Sequence, residues 1–487
     1  MAANGSIAPL HPGSQEARPK PSPLRALAWR HELAFVAILT LAAAGLRCFR
    51  LDARSLNLDE GFSVFLARTN PGKFWSVIGR GELNMGLYYV LLRGWSHVAT
   101  GEFGWRLLSV LLGTLTVPAV YLLGRRVFGP GSATVAALLL AVHPFAIQLS
   151  QTARAYSLVI FLVTLSSLCL VDLVGRPVWP KAAGYALSSA AAVYGHFFAL
   201  LVLAAHGLSW PLVPRRLPRR LLGLSLGLLG LLLLPLLAFL RGAPSHNLDW
   251  VAPLGAAQLK NVFYTLTLSK ARSLTYVVAW CFAVYAASRE RVPDRRWRDA
   301  LVLLWLVLPI ALAAAVSLVQ PMLVERYLAV CIPASVLLAA RGVSALSAWS
   351  RATAIGLLLM MVLGSASGLR FYFRHPDYEE NWRAAILHAL DHVQPGDEIV
   401  VDPYSRFTFD FYSQQRGVPP SALRISRTLT AAAAQFPAPG QIWFVGRKAS
   451  QGEVDEFLRA QGRYCQPAQP FMAYELRAWR FAPCESK

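Results

Sequence analysis

The sequence predicts an all-α polytopic membrane protein that ends in a small α/β domain outside the membrane. Three observations carry that expectation. Of 487 residues, 55% are apolar and only 15% are charged, whereas soluble chains carry about 25% charged residues. Apolar runs of about 17–22 residues recur along the chain, each long enough to cross ~30 Å of hydrocarbon. The formal charge of +21 gathers in short clusters between those runs, where the positive-inside rule places it. So basic a chain invites a nucleic-acid partner. No basic stripe interleaved with aromatic residues lies on a soluble stretch, so none is expected.

The elements follow in chain order. Residues 1–30 are rich in Pro, Ala and Gly and read as a disordered inner tail, too long and proline-broken for a cleaved signal. The first span is 33–50, preceded by Arg25, Arg30 and His31, which favour an inside N-terminus. A long outer loop, 52–104, follows, with short surface helices at 62–68 and 74–78. The run 84–100 is apolar but broken by Arg93 and His97. If it crossed, Arg125 and Arg126 would lie outside, so it is read as a juxtamembrane or re-entrant helix. Further spans are expected at 105–124, 131–149, 156–174, 181–196, 197–213, 221–240, 273–289, 300–319, 327–341 and 352–370, about 11 in all. The basic clusters at Arg125/Arg126, Arg176/Lys181, Arg215/Arg216, Arg289/Arg291 and Arg341/Arg351 then all fall inside.

The domain from 371 to 487 falls outside. A helix is expected over 381–392 and another over 453–460, with strands at 398–401, 441–445 and 474–481. The six cysteines show no metal-binding spacing. Cys48, Cys169, Cys281 and Cys331 lie in or beside apolar runs as small packing groups. Cys465 and Cys484 would be free to pair if their segment meets an oxidising compartment, and either state is open.

The residues that can carry chemistry converge on the outer face. Asp59 and Glu60 are adjacent acids at the head of the first outer loop. A carboxylate there can take a proton from an attacking hydroxyl, or hold a divalent cation, Mg or Mn, at a phosphate. The bland alternative is a solvated turn or a helix cap provided by Asp59. Arg154, beside Tyr156 in a very short outer loop, and Arg326, beside Tyr327 in another, offer planar forks that suit phosphate. For Arg154 the alternative is snorkelling to headgroups, and for Arg326 it is pairing with the adjacent Glu325. His196 sits among aromatic residues at a further outer turn, and Glu82, Arg93 and Arg106 add charge near the same face. The convergence of acid, arginine and histidine on one side is the functional signal.

Laid out in order, these segments resemble the GT-C glycosyltransferases, in particular the group of protein O-mannosyltransferases and lipid A aminoarabinose transferases. The matching pieces are Leu58-Asp59-Glu60; Leu87-Tyr88-Tyr89 with Trp105-Arg106; Arg125-Arg126-Val127-Phe128-Gly129; His143-Pro144-Phe145 running to Arg154-Ala155-Tyr156; Tyr194-Gly195-His196-Phe197; and Glu325-Arg326-Tyr327. The resemblance implies a GT-C membrane fold and inverting transfer of a sugar from a polyprenyl-phosphate donor to a hydroxyl. It implies Asp59 as base with Glu60 at its side, Arg154 and Arg326 on the donor phosphate, and His196, Tyr156, Tyr327 and Arg106 orienting substrate. It leaves open the sugar and an acceptor that is glycan, lipid or protein. Two departures stand out. Relatives often carry a second acid where this chain has Thr152 or Ala155, and a proline where it has Met85-Gly86. A bacterial inner membrane, with the C-terminal domain periplasmic, fits the short loops, and an endoplasmic-reticulum membrane fits the same topology. The alternative from another class is a transporter or flippase of lipid-linked saccharides, which predicts internal repeats and mid-bilayer polar residues.

Overall fold

Apolar composition dictates long helices, and breaks in it dictate where they bend. The computed structural model describes residues 23–482 apart from 215–217, 243–250, 268–272, 377–379, 396, 402–404, 418–423, 426–440, 448–450, 462–469 and 474–475. The expectations for Arg215, Arg216, Cys465, Cys484 and most of the N-terminal tail lie outside the described residues.

The membrane part is built from α1 (Pro23–Cys48), α5 (Gly101–Val127), α6 (Pro130–Ala141), α7 (Pro144–Ser150), α8 (Tyr156–Gly175), α9 (Trp179–Gly195), α10 (Ala199–Ser209), α11 (Arg219–Gly242), α13 (Ser273–Arg289), α14 (Pro293–Val316), α15 (Ile332–Ser347) and α16 (Arg351–Arg374). Between α1 and α5 lie the short helices α2 (Leu58–Arg68), α3 (Pro71–Val77) and α4 (Gly86–Trp95), and α12 (Ala256–Thr267) precedes α13. Among the described residues seven helices are long and apolar enough to cross a membrane, or eight if the α6–α7 pair, bent by 59°, is one span. The chain is an integral membrane protein.

Helices stand at every segment expected to span, but three are short. Of these, α9 and α13 hold 17 residues each and α10 holds 11, and at 1.5 Å per residue even 17 reach only about 25 Å. Hydropathy and charge parity register apolar content but not where a helix stops. α4, with 10 residues, rises about 15 Å, half the hydrocarbon thickness. The helical segment Tyr327–Ser347 is the most enclosed, 83% buried, whereas Arg219–Leu237 is 11% buried and lies at the periphery.

The α6–α7 bend has a definite cause. Pro144 opens α7, and His143 caps it by accepting from the Ala146 amide at 3.3 Å. The carbonyls freed at the end of α6 are taken by Arg47, which is buried and donates to Leu140 and Ala141 oxygens at 3.4 and 3.2 Å. Its Nε donates to Ser150 Oγ. This Arg47 therefore serves as a staple within the bundle.

At one end of the bundle the clustered arginines meet acids. Asp172 takes Arg126 at 3.0 Å and Lys181 at 3.9 Å, and Asp299 takes Arg341 at 3.1 Å. Arg298 pairs with Asp294 at 2.6 Å and also donates to the Arg126 carbonyl. Asp172, Asp294 and Asp299 thus tie Arg126, Lys181, Arg298 and Arg341 into one connected end.

Beyond α16 come α17 (Trp382–His392), β1 (Glu398–Val401), α18 (Arg406–Gln415), β2 (Arg424–Ile425), β3 (Ile442–Arg447), α19 (Gln451–Gln461), β4 (Phe471–Ala473) and β5 (Leu476–Phe481). The strands form one sheet in the order β2-β1-β3-β5-β4, with β1 parallel to β2 and β3, and β5 antiparallel to β3 and β4. Period-two alternation splits the strand residues between two faces. Ile399, Val401, Trp443 and Val445 join a core that runs through Trp382 and Ile386 into the bundle. Val400, Phe444 and Trp479 pack instead with Val454 and Phe457 of α19. The expected first helix and first strand lie where the sequence places them; α18, β2 and β4 were not expected.

Candidate active site

The site grows from the head of α2. Asn57 caps that helix: its side chain accepts from the Glu60 amide at 2.9 Å, and Glu60 Oε2 accepts from the Asn57 amide at 3.2 Å. This reciprocal capping box fixes Glu60 turned back toward the loop. Arg106 of α5 then meets Glu60 in a two-pronged pair, Nε to Oε1 and Nη2 to Oε2, both at 2.8 Å. Its remaining donors go to the carbonyls of Leu51, Arg54 and Ser55 at 2.8–2.9 Å. Glu60 Oε1 also accepts from the Ala153 amide at 2.9 Å. Both side chains are buried. All five N–H groups of Arg106 and about four lone-pair sites on Glu60 are therefore spent. The structure separates Glu60 and Arg106 from the chemistry expected of them, because neither has hydrogen-bonding capacity left for a substrate.

Asp59, one residue earlier, points the other way. Its side chain is 51% exposed, and Oδ2 lies 4.0 Å from Arg154 Nη2. Arg154 sits in the turn between α7 and α8 and is 9% exposed. Its Nη1 lies within hydrogen-bond reach of Tyr89 Oη at 3.1 Å and of the Asp59 carbonyl and Ser63 Oγ at 3.4 Å. Tyr89 Oη in turn donates to Glu82 at 3.2 Å. Glu82, at the end of a π-turn (Ile78–Glu82), thereby supplies a second carboxylate that Thr152 and Ala155 do not. Burial raises the Glu82 pKa; Arg154 and the Tyr89 hydroxyl oppose that rise, and Asp59 adds to it. For Arg154, burial works against the charge, but Tyr89, Asp59, Tyr156 and Glu82 outweigh it and hold its pKa well above the ordinary value.

Three buried polar atoms around Arg154 have no hydrogen-bond partner among the described residues: Arg154 Nε, Tyr156 Oη and His196 Nε2. His196 accepts from the Phe198 amide through Nδ1 at 3.2 Å, so the neutral ring carries its proton on Nε2. All three atoms are therefore able to donate. Tyr327 packs on His196 with ring centroids 4.8 Å apart, and Tyr156 lies 6.3 Å from the same ring. The Arg326 guanidinium lies 5.7 Å from the Tyr327 ring centroid. Burial works against its charge, Tyr156, Tyr327 and Asp59 sustain it, Arg154 opposes it, and the net shift of its pKa is upward. The loop preceding α4 closes the side of the site, where Asn84 Oδ1 accepts from the Phe197 amide at 2.8 Å.

Of the residues singled out in the sequence, Asp59, Arg154, Tyr156, His196, Arg326 and Tyr327 come together. Glu82, noted there only as a further charge, joins them, and Tyr89 links it to Arg154. No cluster of three or more His, Cys, Asp or Glu side chains suited to a metal ion occurs among the described residues. The two carboxylates that face the site, Asp59 and Glu82, are the ones that could meet a cation.

Comparison with known proteins bears on the fold. Residues 88–240 match the family model for dolichyl-phosphate-mannose-protein mannosyltransferase. No curated protein matches this sequence. Among solved structures, the chain is similar to ArnT from Cupriavidus metallidurans in the apo state, with 15% identity, TM-score 0.57, and coverage of 94% of this chain and 98% of that one. ArnT bound to undecaprenyl phosphate aligns with 14% identity, TM-score 0.54 and coverage of 93% and 98%. The oligosaccharyltransferase of Archaeoglobus fulgidus aligns with 12% identity, TM-score 0.54 and coverage of 89% and 72%. The fold is thus the one shared by ArnT and the archaeal oligosaccharyltransferase. The similarity extends over nearly the full length of ArnT, and the family match covers the segment named above.

Proposed function

We propose that this chain is a membrane glycosyltransferase that moves a sugar from a polyprenyl-phosphate donor to a hydroxyl acceptor with inversion at the anomeric carbon. The observation that carries this reading is the set of unpartnered buried donors on Arg154, Tyr156 and His196 beside the exposed Asp59 carboxylate. Buried donors without partners are costly, and a phosphate oxygen is the acceptor they suit. The similar structures point the same way: ArnT is bound to undecaprenyl phosphate, and the archaeal enzyme to a dolichol-phosphate and an inhibitory peptide.

In this mechanism Arg154 and Arg326 hold the donor phosphate, while His196, Tyr156 and Tyr327 shape its surroundings. The acceptor oxygen forms a bond to C1 as the bond from C1 to the phosphate oxygen breaks. The acceptor proton passes to Asp59, and polyprenyl phosphate leaves with its charge already met by the arginines. Glu60 and Arg106 hold Asp59 in place without touching substrate. Glu82, through Tyr89, keeps Arg154 turned toward the phosphate. A divalent cation would bind Asp59 and Glu82 and bring positive charge to the phosphate, a task Arg154 already performs. We place the site on the outer face of a bacterial inner membrane, with the α17–β5 region periplasmic and about 11 crossings in which α9, α10 and α13 serve as short spans.

Membranes containing the chain should transfer radiolabel from a polyprenyl-phosphate hexose or pentose to an endogenous acceptor. Absence of transfer from every such donor, with and without Mg or Mn, would move the assignment to a transporter of lipid-linked saccharides.

A further inference from the structure

The loop that leads into α2, residues 51–57, sets where Asp59 points. Arg106 holds it from the bundle side. The second grip comes from the C-terminal region. Tyr412 of α18 is buried, and its hydroxyl accepts from the Leu56 amide at 2.8 Å and donates to Glu102 of α5. Arg383 of α17 pairs with Glu102, Nε to Oε1 at 3.0 Å, and its Nη2 donates to the carbonyls of Asp52 and Arg54 at 2.6 and 2.9 Å. Ser55 Oγ bridges the Glu380 carbonyl at 2.9 Å and the Trp382 amide at 3.1 Å. Thr408 Oγ1 donates to the carbonyl of the cap residue Asn57 at 3.3 Å. The fit is close enough that a Cβ on Gly61 would fall 2.3 Å from Thr408 Oγ1 and 2.7 Å from its backbone nitrogen.

Resting on the glycosyltransferase reading above, we propose that Tyr412 and Arg383 are positioning residues for the reaction. Through Glu102 and the 51–57 carbonyls and amides, they clamp the head of α2 so that Asp59 meets the acceptor hydroxyl. The C-terminal region thus acts as the outer jaw of the catalytic site, whatever else it binds. Small displacements of a catalytic group are costly in rate, so the clamp should appear in turnover before it appears in donor binding.

The test uses the purified full chain and compares wild type, Tyr412→Phe, Arg383→Lys, Asp59→Asn and the Tyr412→Phe/Asp59→Asn double variant. Two readouts are taken: transfer kinetics from a polyprenyl-phosphate sugar, and amide hydrogen exchange over residues 51–68. Tyr412→Phe keeps the ring and its packing, so the fold is preserved. Faster exchange at Leu56 and through the first turn of α2 is expected. With it should come a fall in kcat of about tenfold, an unchanged donor KM, partial retention of rate in Arg383→Lys, and no further loss when Tyr412→Phe is added to Asp59→Asn. Unchanged exchange, or faster exchange with wild-type kcat, or losses that multiply in the double variant would each overturn the clamp. Full transfer by Asp59→Asn would defeat the base assignment instead, and the exchange data would still report whether Tyr412 holds the loop.

Discussion

Two acid–arginine pairs stand one residue apart at the head of α2, and they are built in opposite ways. The Glu60–Arg106 pair is buried, two-pronged and 2.8 Å long, with each remaining donor or acceptor taken up by the backbone. The Asp59–Arg154 pair is loose at 4.0 Å, with the carboxylate half exposed and Arg154 Nε without a partner among the described residues. Saturation marks the first as framework. Unspent capacity, kept at the cost of leaving buried donors unmet, marks the second as the place where a ligand belongs. The paired charges at the opposite end of the bundle, such as Arg126 with Asp172, resemble the framework pair in having found their partners within the chain.

Four substitutions sharpen or break that contrast. Glu60→Ala leaves the Arg106 guanidinium buried without its counter-charge and should cost about 3–5 kcal/mol. The yield of monodisperse protein and its thermal midpoint report this, and a variant of wild-type stability would contradict the framework role. Arg154→Ala removes the charge-assisted contact proposed to the donor phosphate, worth about 1.5–3 kcal/mol. Its affinity for undecaprenyl phosphate, measured by competition with donor, should fall roughly ten- to hundredfold, while the protein stays folded. Tyr89→Phe breaks the link from Glu82 to Arg154, with a net cost of about 1 kcal/mol, and should weaken donor binding several-fold without altering the pH profile of turnover.

The smallest effect is on stability against pH. Burial raises the Glu82 pKa above its ordinary value of 4.5, so the protonated form is the one the fold favours. The stability this contributes is complete below 4.5 and is lost as pH rises through the raised value. In Glu82→Gln the side chain is neutral throughout. The thermal midpoint of wild type should therefore decline relative to this variant as pH rises from 4.5, then run parallel to it. A difference that is constant across the range would show that Glu82 is not held in the buried arrangement.

Much of the site was legible in the sequence because its members sit at the ends of apolar runs, where charge is expensive and needs a reason. Asp59, Arg154, His196 and Arg326 could each be found that way. The division between Asp59 and Glu60 was not found, although the signal was present: Asn57 followed three residues later by Glu60 is the signature of a capping box, and it assigns Glu60 to the loop. Tyr89 was visible only as part of a motif, because a tyrosine inside an apolar helix reads as packing. The fold shows the same boundary. Long periodic elements such as α17 were readable, whereas α18 carries aromatic residues at alternate positions, Phe407, Phe409 and Phe411, and so has no helical stripe. It is helical because its surroundings cover nearly every face, with Thr408 through Ser413 all buried, and such tertiary coverage has no sequence period. The expected count of spans exceeded the helices that are long enough because Pro and Gly end helices inside apolar stretches, as at His143-Pro144.

The proposed mechanism turns on Asp59 as the group that takes the acceptor proton. The most direct test is the rate of transfer per folded molecule by purified Asp59→Asn, beside wild type, with a radiolabelled polyprenyl-phosphate sugar. Loss of at least about 100-fold, with an unchanged thermal midpoint and unchanged affinity for undecaprenyl phosphate, is the predicted result. Transfer at the wild-type rate would contradict it and would place the proton with another group at the site, Glu82 being the carboxylate that remains.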